Sequence, residues 1–300
     1  MITPRLGHIN FLNVLPLTYS FHHDNFADGL KISNGVPAVV NNDLINHRLD
    51  AAEVSSIVYA RNSEKLFLLP DVCVRSDSEV QSIILVSRKP IYDINEDKII
   101  LTAKSATSHC LLKIILRNGY DARPNYYVRH ISPENPVPAD ATASLLIGDD
   151  ALWLYHNRKK YDYFYYDLGR EWKKMTGVGM VYATWVVNRD FVKQHHEETK
   201  MLYDRIYRGI QNGYAKKDEI IKSVLDDKPF TYDQVSVYLE RIRWNLTDEY
   251  LEGLKLFYSM AHDMNLIDHR PEIEVADVYY QQFTAFKPLA HRPKPMLAKP

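Results

Sequence analysis

The sequence predicts an α/β protein of two lobes, with a central cleft and two passes of chain between the lobes. Three observations carry this. A strand, a helix and a strand follow one another within the first 56 residues. The same order starts again near residue 97, and two long apolar segments, 80–88 and 180–188, bracket this second set. Repeated strand–helix–strand units imply parallel sheets with right-handed crossovers. A chain of 300 residues is too long for one small core and suits two domains of ordinary size.

"RLGHINFL" reads as a short buried strand that delivers Asn13 to a turn, with Pro16 close behind. "LKIS" is a strand, and "VPAVVNNDLINHRL" is a helix, with Pro37 tolerated near its start and Val40 and Leu44 one turn apart. "DAAEVS" is the next strand, with Ser55 and Ser56 at its carboxyl end. "VQSIILVSRKP" reads as a long strand. "KIILTA" opens the second set, and "SATSHCLLKIILRNG" is a helix that starts on hydroxyl residues and closes on Gly119. "ATASLLIGD" is a strand, "DALWLYHNRK" a helix, and "MVYATWVVNRDF" a second long strand. Beyond it the chain is helical. Leu202, Ile206, Ile210 and Tyr214 recur every four residues, Thr231 and Gln234 have the spacing of a capping box, and Leu251, Leu254, Tyr258 and Ala261 form a stripe. Residues 1–86 and 184–286 are expected to form lobe one and 87–183 lobe two. The basic, proline-rich 287–300 is expected to be a mobile tail. The long segments 80–88 and 180–188 are expected to be the two crossings, and to act as a hinge.

Several function classes are excluded. Lys and Arg number 37 against 38 Asp and Glu, so there is no excess of positive charge for neutralising phosphates and no nucleic-acid partner is expected. The start lacks the basic and apolar regions of a signal peptide, and no stretch holds about 18 uninterrupted apolar residues. A cytoplasmic location and no membrane association are therefore expected. Cys73 and Cys110 are isolated and are expected to be reduced core thiols. The 12 histidines form no H-E-x-x-H arrangement, and no metal is expected.

Candidate residues stand at strand ends, where open parallel sheets bind ligands. Asn13 offers a carbonyl and an amide to orient a hydroxyl or carboxylate, or else it satisfies its own turn. Ser105, Ala106, Thr107 and Ser108 lie between a strand and a helix, whose first N–H groups favour an anion; the alternative is plain capping. Asp149 and Asp150 follow Gly148, which permits a tight turn. They are either paired acids of a site or a helix cap and its first turn. Trp172 is read as core.

In this order the segments "RLGHINFLNVLPL", "GVPAVVNNDL", "LDAAEVSSIVYAR", "LLPDVCV", "VQSIILVSRKP", "LTAKSATSHCLLKIIL", "LLIGDDAL", "YDLGREWKKMTG" and "VYATWVV" resemble the chorismate dehydratases of the futalosine route to menaquinone. The resemblance runs from about residue 4 to about 285. It implies a type II periplasmic-binding-protein-like fold and loss of water from chorismate to give 3-[(1-carboxyvinyl)oxy]benzoate, a hydro-lyase reaction with no cofactor. It matches Asn13 to the family's active-site asparagine and Ser82 to a serine facing the substrate. It matches Ser56, Ser105, Ala106 and Thr107 to substrate-holding positions. Asp149, from its place at a strand end, is a further candidate contact with substrate. Phe11 stands where many relatives have Tyr, and Val14 where they have Thr. Two other readings remain: the related dihydroxynaphthoate-forming enzyme of the same pathway, and a non-catalytic protein that binds a small carboxylate.

Overall fold

The computed structural model describes residues 2–279. The expected mobile tail 287–300 lies outside them, as does the end of the first expected lobe. Among the described residues, ten strands form two five-stranded sheets. The first holds β1 (Arg5–His8), β2 (Lys31–Asn34), β3 (Ala51–Ser55), β4 (Leu66–Ser76) and, from much later in the chain, β10 (Met180–Asn188), in the order β2-β1-β3-β10-β4. The second holds β5 (Ile83–Ser87), β6 (Lys98–Leu101), β7 (Asn125–Val128), β8 (Ala143–Ile147) and β9 (Phe164–Asp167), in the order β7-β6-β8-β5-β9.

Both sheets repeat one plan. β1 runs parallel to β2 and β3, and β6 parallel to β7 and β8. An antiparallel strand then completes each centre: β10 pairs with β3 and β4, and β5 with β8 and β9. The central strands are buried on both faces, so their sequences are nearly continuous apolar runs.

β5 pairs only within the second sheet and β10 only within the first, so neither carries the chain across. A strand whose two edges are both paired in one sheet has no free length to span to another. The passages are instead 77–82 on the way out and, on the way back, helix Leu168–Thr176 with the turn after it. One carboxylate joins them. Asp167, only 6% exposed, accepts from the backbone N–H of Val80 at 3.1 Å, Gln81 at 2.6 Å and Arg170 at 3.1 Å. Gly169 is required at this junction, because a Cβ there would lie 2.1 Å from the carbonyl oxygen of Ser78.

The helices follow the sequence pattern. Leu202, Ile206 and Ile210 are buried on helix His196–Ala215, and Leu254, Tyr258 and Ala261 on helix Asp248–Asp263. Thr231 and Gln234 form the capping box of helix Tyr232–Arg241, with both reciprocal bonds present. Trp172 is fully buried against Phe257. Cys73 and Cys110 are buried free thiols. No helix among the described residues is long and apolar enough to cross a membrane.

Candidate active site

The carboxyl ends of β1, β3, β6 and β8 converge on one cleft between the sheets. It encloses about 650 Å³, part of it open to solvent. From the first sheet come Ile9, Asn13, Glu53, Ser55 and Tyr182; from the second, Ser82, Lys104, Ser105, Ser108 and Gly148; and helix Tyr232–Arg241 adds Tyr238. The walls are mostly apolar, with a few polar side chains among them.

β1 ends at His8, earlier than the apolar run predicted, and the chain turns through a short 3-10 helix, Leu12–Val14, before helix Leu15–His23. That turn holds Asn13 at the cleft wall. Its Oδ1 is buried and accepts no hydrogen bond from a described residue. The self-satisfied turn is therefore not what this residue does. Ser82, 6% exposed, also lines the cleft. Its Oγ accepts from the Tyr238 hydroxyl at 3.0 Å. Burial pushes the Tyr238 phenol well up, so it stays protonated and a donor.

The hydroxyl cluster divides. Ser105 lines the cleft and also caps helix Ala106–Ile114, its Oγ accepting from the Ser108 N–H at 3.3 Å. Ser108 lines the cleft beside it. Ala106 packs against the core, and Ser56 and Thr107 are buried away from the cleft, 0% and 1% exposed. Their hydroxyls meet each other at 3.3 Å, and Thr107 Oγ1 accepts from the Ile57 N–H at 3.0 Å. These two residues, expected to hold substrate, instead join helix Ser56–Arg61 of one sheet to helix Ala106–Ile114 of the other. Thr107→Val keeps the shape but strands the Ile57 N–H, so it lowers stability by about 1–3 kcal/mol. Thermal melts check this, and an unchanged melting temperature would remove the assigned role.

Asp149 lies outside this cleft and lines a neighbouring, more open pocket. Gly148 has φ +65° and makes the turn from β8 into helix Gly148–Asn157. Ile147 is the residue at the cap, so neither aspartate is the N-cap; both sit in the first turn. Asp149 pairs with Lys228 at 2.7 Å and Asp150 with Lys104 at 2.5 Å. Two acids already engaged by lysines are poor candidates for a paired acid–base site. Among the described residues, no group of three or more His, Cys, Asp or Glu side chains has the arrangement of a metal site.

Glu53, Tyr182 and Tyr238 escaped the sequence reading. Tyr238 follows the capping box in a helix and Tyr182 stands in a long apolar strand, and neither position marks a cleft residue by sequence. Glu53 carried a signal: one acid inside the apolar strand "AAEVS". It is 4% exposed, and burial pushes its carboxyl up to about 8.

Two chorismate dehydratases are similar to this chain. That of Thermus thermophilus is 26% identical over 265 residues, covering 84% of this chain and 93% of the relative. That of Campylobacter jejuni is 27% identical over 270 residues, covering 87% and 98%. Among solved structures, a protein of Archaeoglobus fulgidus aligns with TM-score 0.69 and 16% identity over 88% of this chain and 98% of its own. The periplasmic aliphatic sulphonate binding protein SsuA of Escherichia coli aligns with TM-score 0.62 and 11% identity over 98% and 97%. At such identities the structures speak to the fold alone, which is the two-lobed periplasmic-binding-protein-like one. The sequence match to a family described as menaquinone biosynthesis takes in residues 4–263, with all ten strands and every residue described at the cleft, and the chain belongs to that family.

Proposed function

We propose that this protein dehydrates chorismate to 3-[(1-carboxyvinyl)oxy]benzoate, as a hydro-lyase that needs no cofactor. The observation that carries the reading is the meeting of Asn13 and Ser82. They are distant in sequence and were assigned through separate motifs, yet they line one mostly apolar cleft. The two similar relatives named as chorismate dehydratases support the choice of substrate.

The chemistry asks for position more than for power. Loss of the C3 hydrogen and the C4 hydroxyl makes an aromatic ring, so the drive lies in the substrate. The ring carboxylate acidifies the C3 hydrogen through a double bond. Lys104, Ser105 and Ser108 at the mouth of helix Ala106–Ile114 offer donors for that carboxylate, and donors there stabilise the developing carbanion. The proton goes to the substrate's own enolpyruvyl carboxylate. Asn13 and Ser82 fix the pose that brings base and hydrogen together.

Purified protein incubated with chorismate and a chelator is expected to give a product lighter by one water in mass spectrometry. No such product would end this reading, and turnover of cyclic dehypoxanthine futalosine instead would favour the related enzyme of the pathway. Activity lost in chelator and restored by a divalent ion would end the cofactor-free part.

A further inference from the structure

One group at the cleft has no task in the reaction as described so far. Glu53 sits in the middle of β3, opposite Trp185 of β10 in the ladder. No hydrogen bond or ion pair joins its carboxyl to another described residue, and its Oε2 is fully buried. A buried carboxylate without a partner costs several kcal/mol, so a carboxyl placed like this is held neutral. Among the residues lining the cleft, Glu53 Oε2 and Asn13 Oδ1 are the buried side-chain oxygens left without a partner. A core position would be filled by an apolar residue of similar volume. A cleft position is completed by what enters the cleft.

The neutral form also suits the occupant. Chorismate carries two carboxylates, and an ionised Glu53 would repel it, whereas a protonated one presents an O–H donor. The step that most needs a donor is departure of the C4 oxygen, because hydroxide is a poor leaving group.

We propose that Glu53 is the general acid that protonates the departing C4 hydroxyl. This rests on the chorismate reading above. The C3–H bond breaks and its proton goes to the enolpyruvyl carboxylate. The electron pair left on C3 forms the C3–C4 double bond, and the C4–O bond breaks with its pair on oxygen. The Glu53 proton joins that oxygen, and water leaves. The proton taken from C3 then returns to Glu53, so the protein ends as it began and the net loss is one water.

Titratable groups also stand on the elements around Glu53. Burial pushes the phenols of Tyr182 on β10 and Tyr238 on helix Tyr232–Arg241 well up. His8 on the adjacent β1 meets Thr18 Oγ1 at 2.8 Å, and burial lowers its pKa to about 4. Asp43 on helix Pro37–Ile45 pairs with Arg48, and Lys104 across the cleft with Asp150. Glu53 itself, at about 8, is poised to lose its proton just above neutrality.

The test is the pH dependence of chorismate turnover in wild type and Glu53→Gln, from pH 6 to 9.5. The amide keeps the shape and the hydrogen-bond donor but has no proton to give. Wild-type kcat/KM is expected to fall about tenfold per pH unit above about 8. Glu53→Gln is expected to lose about 10²- to 10⁴-fold in kcat, keep KM within a few-fold, and show no fall above neutrality. Product affinity, read by calorimetry, should weaken above pH 8 in wild type and stay level in the variant, which confirms a folded cleft. A variant with kcat within threefold of wild type, or one that keeps the same alkaline fall, overturns the proposal and leaves the dehydratase reading standing. A wild type with no chorismate turnover overturns both.

Discussion

Asn13→Ala is expected to lower chorismate turnover by about 30- to 1000-fold, the usual cost of one lost contact to a transition state, about 2–4 kcal/mol. The melting temperature should hardly move. Asn13 Oδ1 has no hydrogen bond to lose among the described residues, and the turn around it is fixed by Leu12 and Val14, both buried. Ser82→Ala makes a useful contrast. It also faces the cleft, but it removes the acceptor of the buried Tyr238 hydroxyl. It should therefore lower turnover and also cost about 1–3 kcal/mol of stability. Steady-state kinetics beside thermal melts separate the two. An Asn13→Ala protein with wild-type turnover would remove this residue from the site, and one that melts early would make it a structural turn.

The second large effect concerns stability and pH. The Glu53 carboxyl is raised by burial from an ordinary 4.5 to about 8. Between those values the folded chain holds a proton that the unfolded chain has released, so stability falls as pH rises across this window. At pH 7 the gap amounts to roughly 3 kcal/mol, and it vanishes near pH 4.5. Glu53→Gln has no such term. Its melting temperature, compared with wild type at each pH, should gain several degrees between pH 5 and pH 8. Any pH-independent cost of burying the amide shifts both ends equally and leaves that slope intact. Parallel melting profiles for the two proteins would mean that Glu53 is ionised in the folded state, with a partner supplied by solvent. An acid that costs this much where it stands is explained more readily by chemistry than by packing.

Much of the fold was legible because it rests on buried parallel strands with plain apolar runs. β1, β3, β6 and β8 follow from short apolar runs, and the helices between them from the 3.6-residue period. β4 escaped, although it is the longest strand, because Pro70 and Asp71 interrupt it. The structure accommodates both in an irregular stretch: Asp71 has φ 61°, and pairing with β10 breaks between the Leu66–Leu68 and Cys73–Ser76 portions. β7 and β9 escaped for a different reason. They are the edges of the second sheet, partly exposed, and carry tyrosines and polar groups in place of an apolar run.

The site was legible only as far as motifs reach. Asn13, Ser82 and Ser105 stand at strand ends that meet. Ser56 and Thr107 did not join them, because neighbouring residues at the start of a helix point in different directions, and these two point into the seam between helices. Glu53, Tyr182 and Tyr238 depend on which face of a strand or helix meets the cleft, and that is settled by packing across the whole chain.

The position of β10 has a consequence for how the molecule is made. The second sheet is built from one unbroken stretch, 83–167, so its strands are all present once that stretch has left the ribosome. The first sheet has to wait. Its place between β3 and β4 is taken by residues 180–188, synthesised after everything in the second sheet. During that interval β3 and β4 each keep a bare inner edge of unpaired backbone groups, the kind of surface that recruits foreign strands. The second sheet therefore has all its strands in hand before the first one does. The nascent protein is most exposed to misassembly while its first-made strands still lack their middle partner.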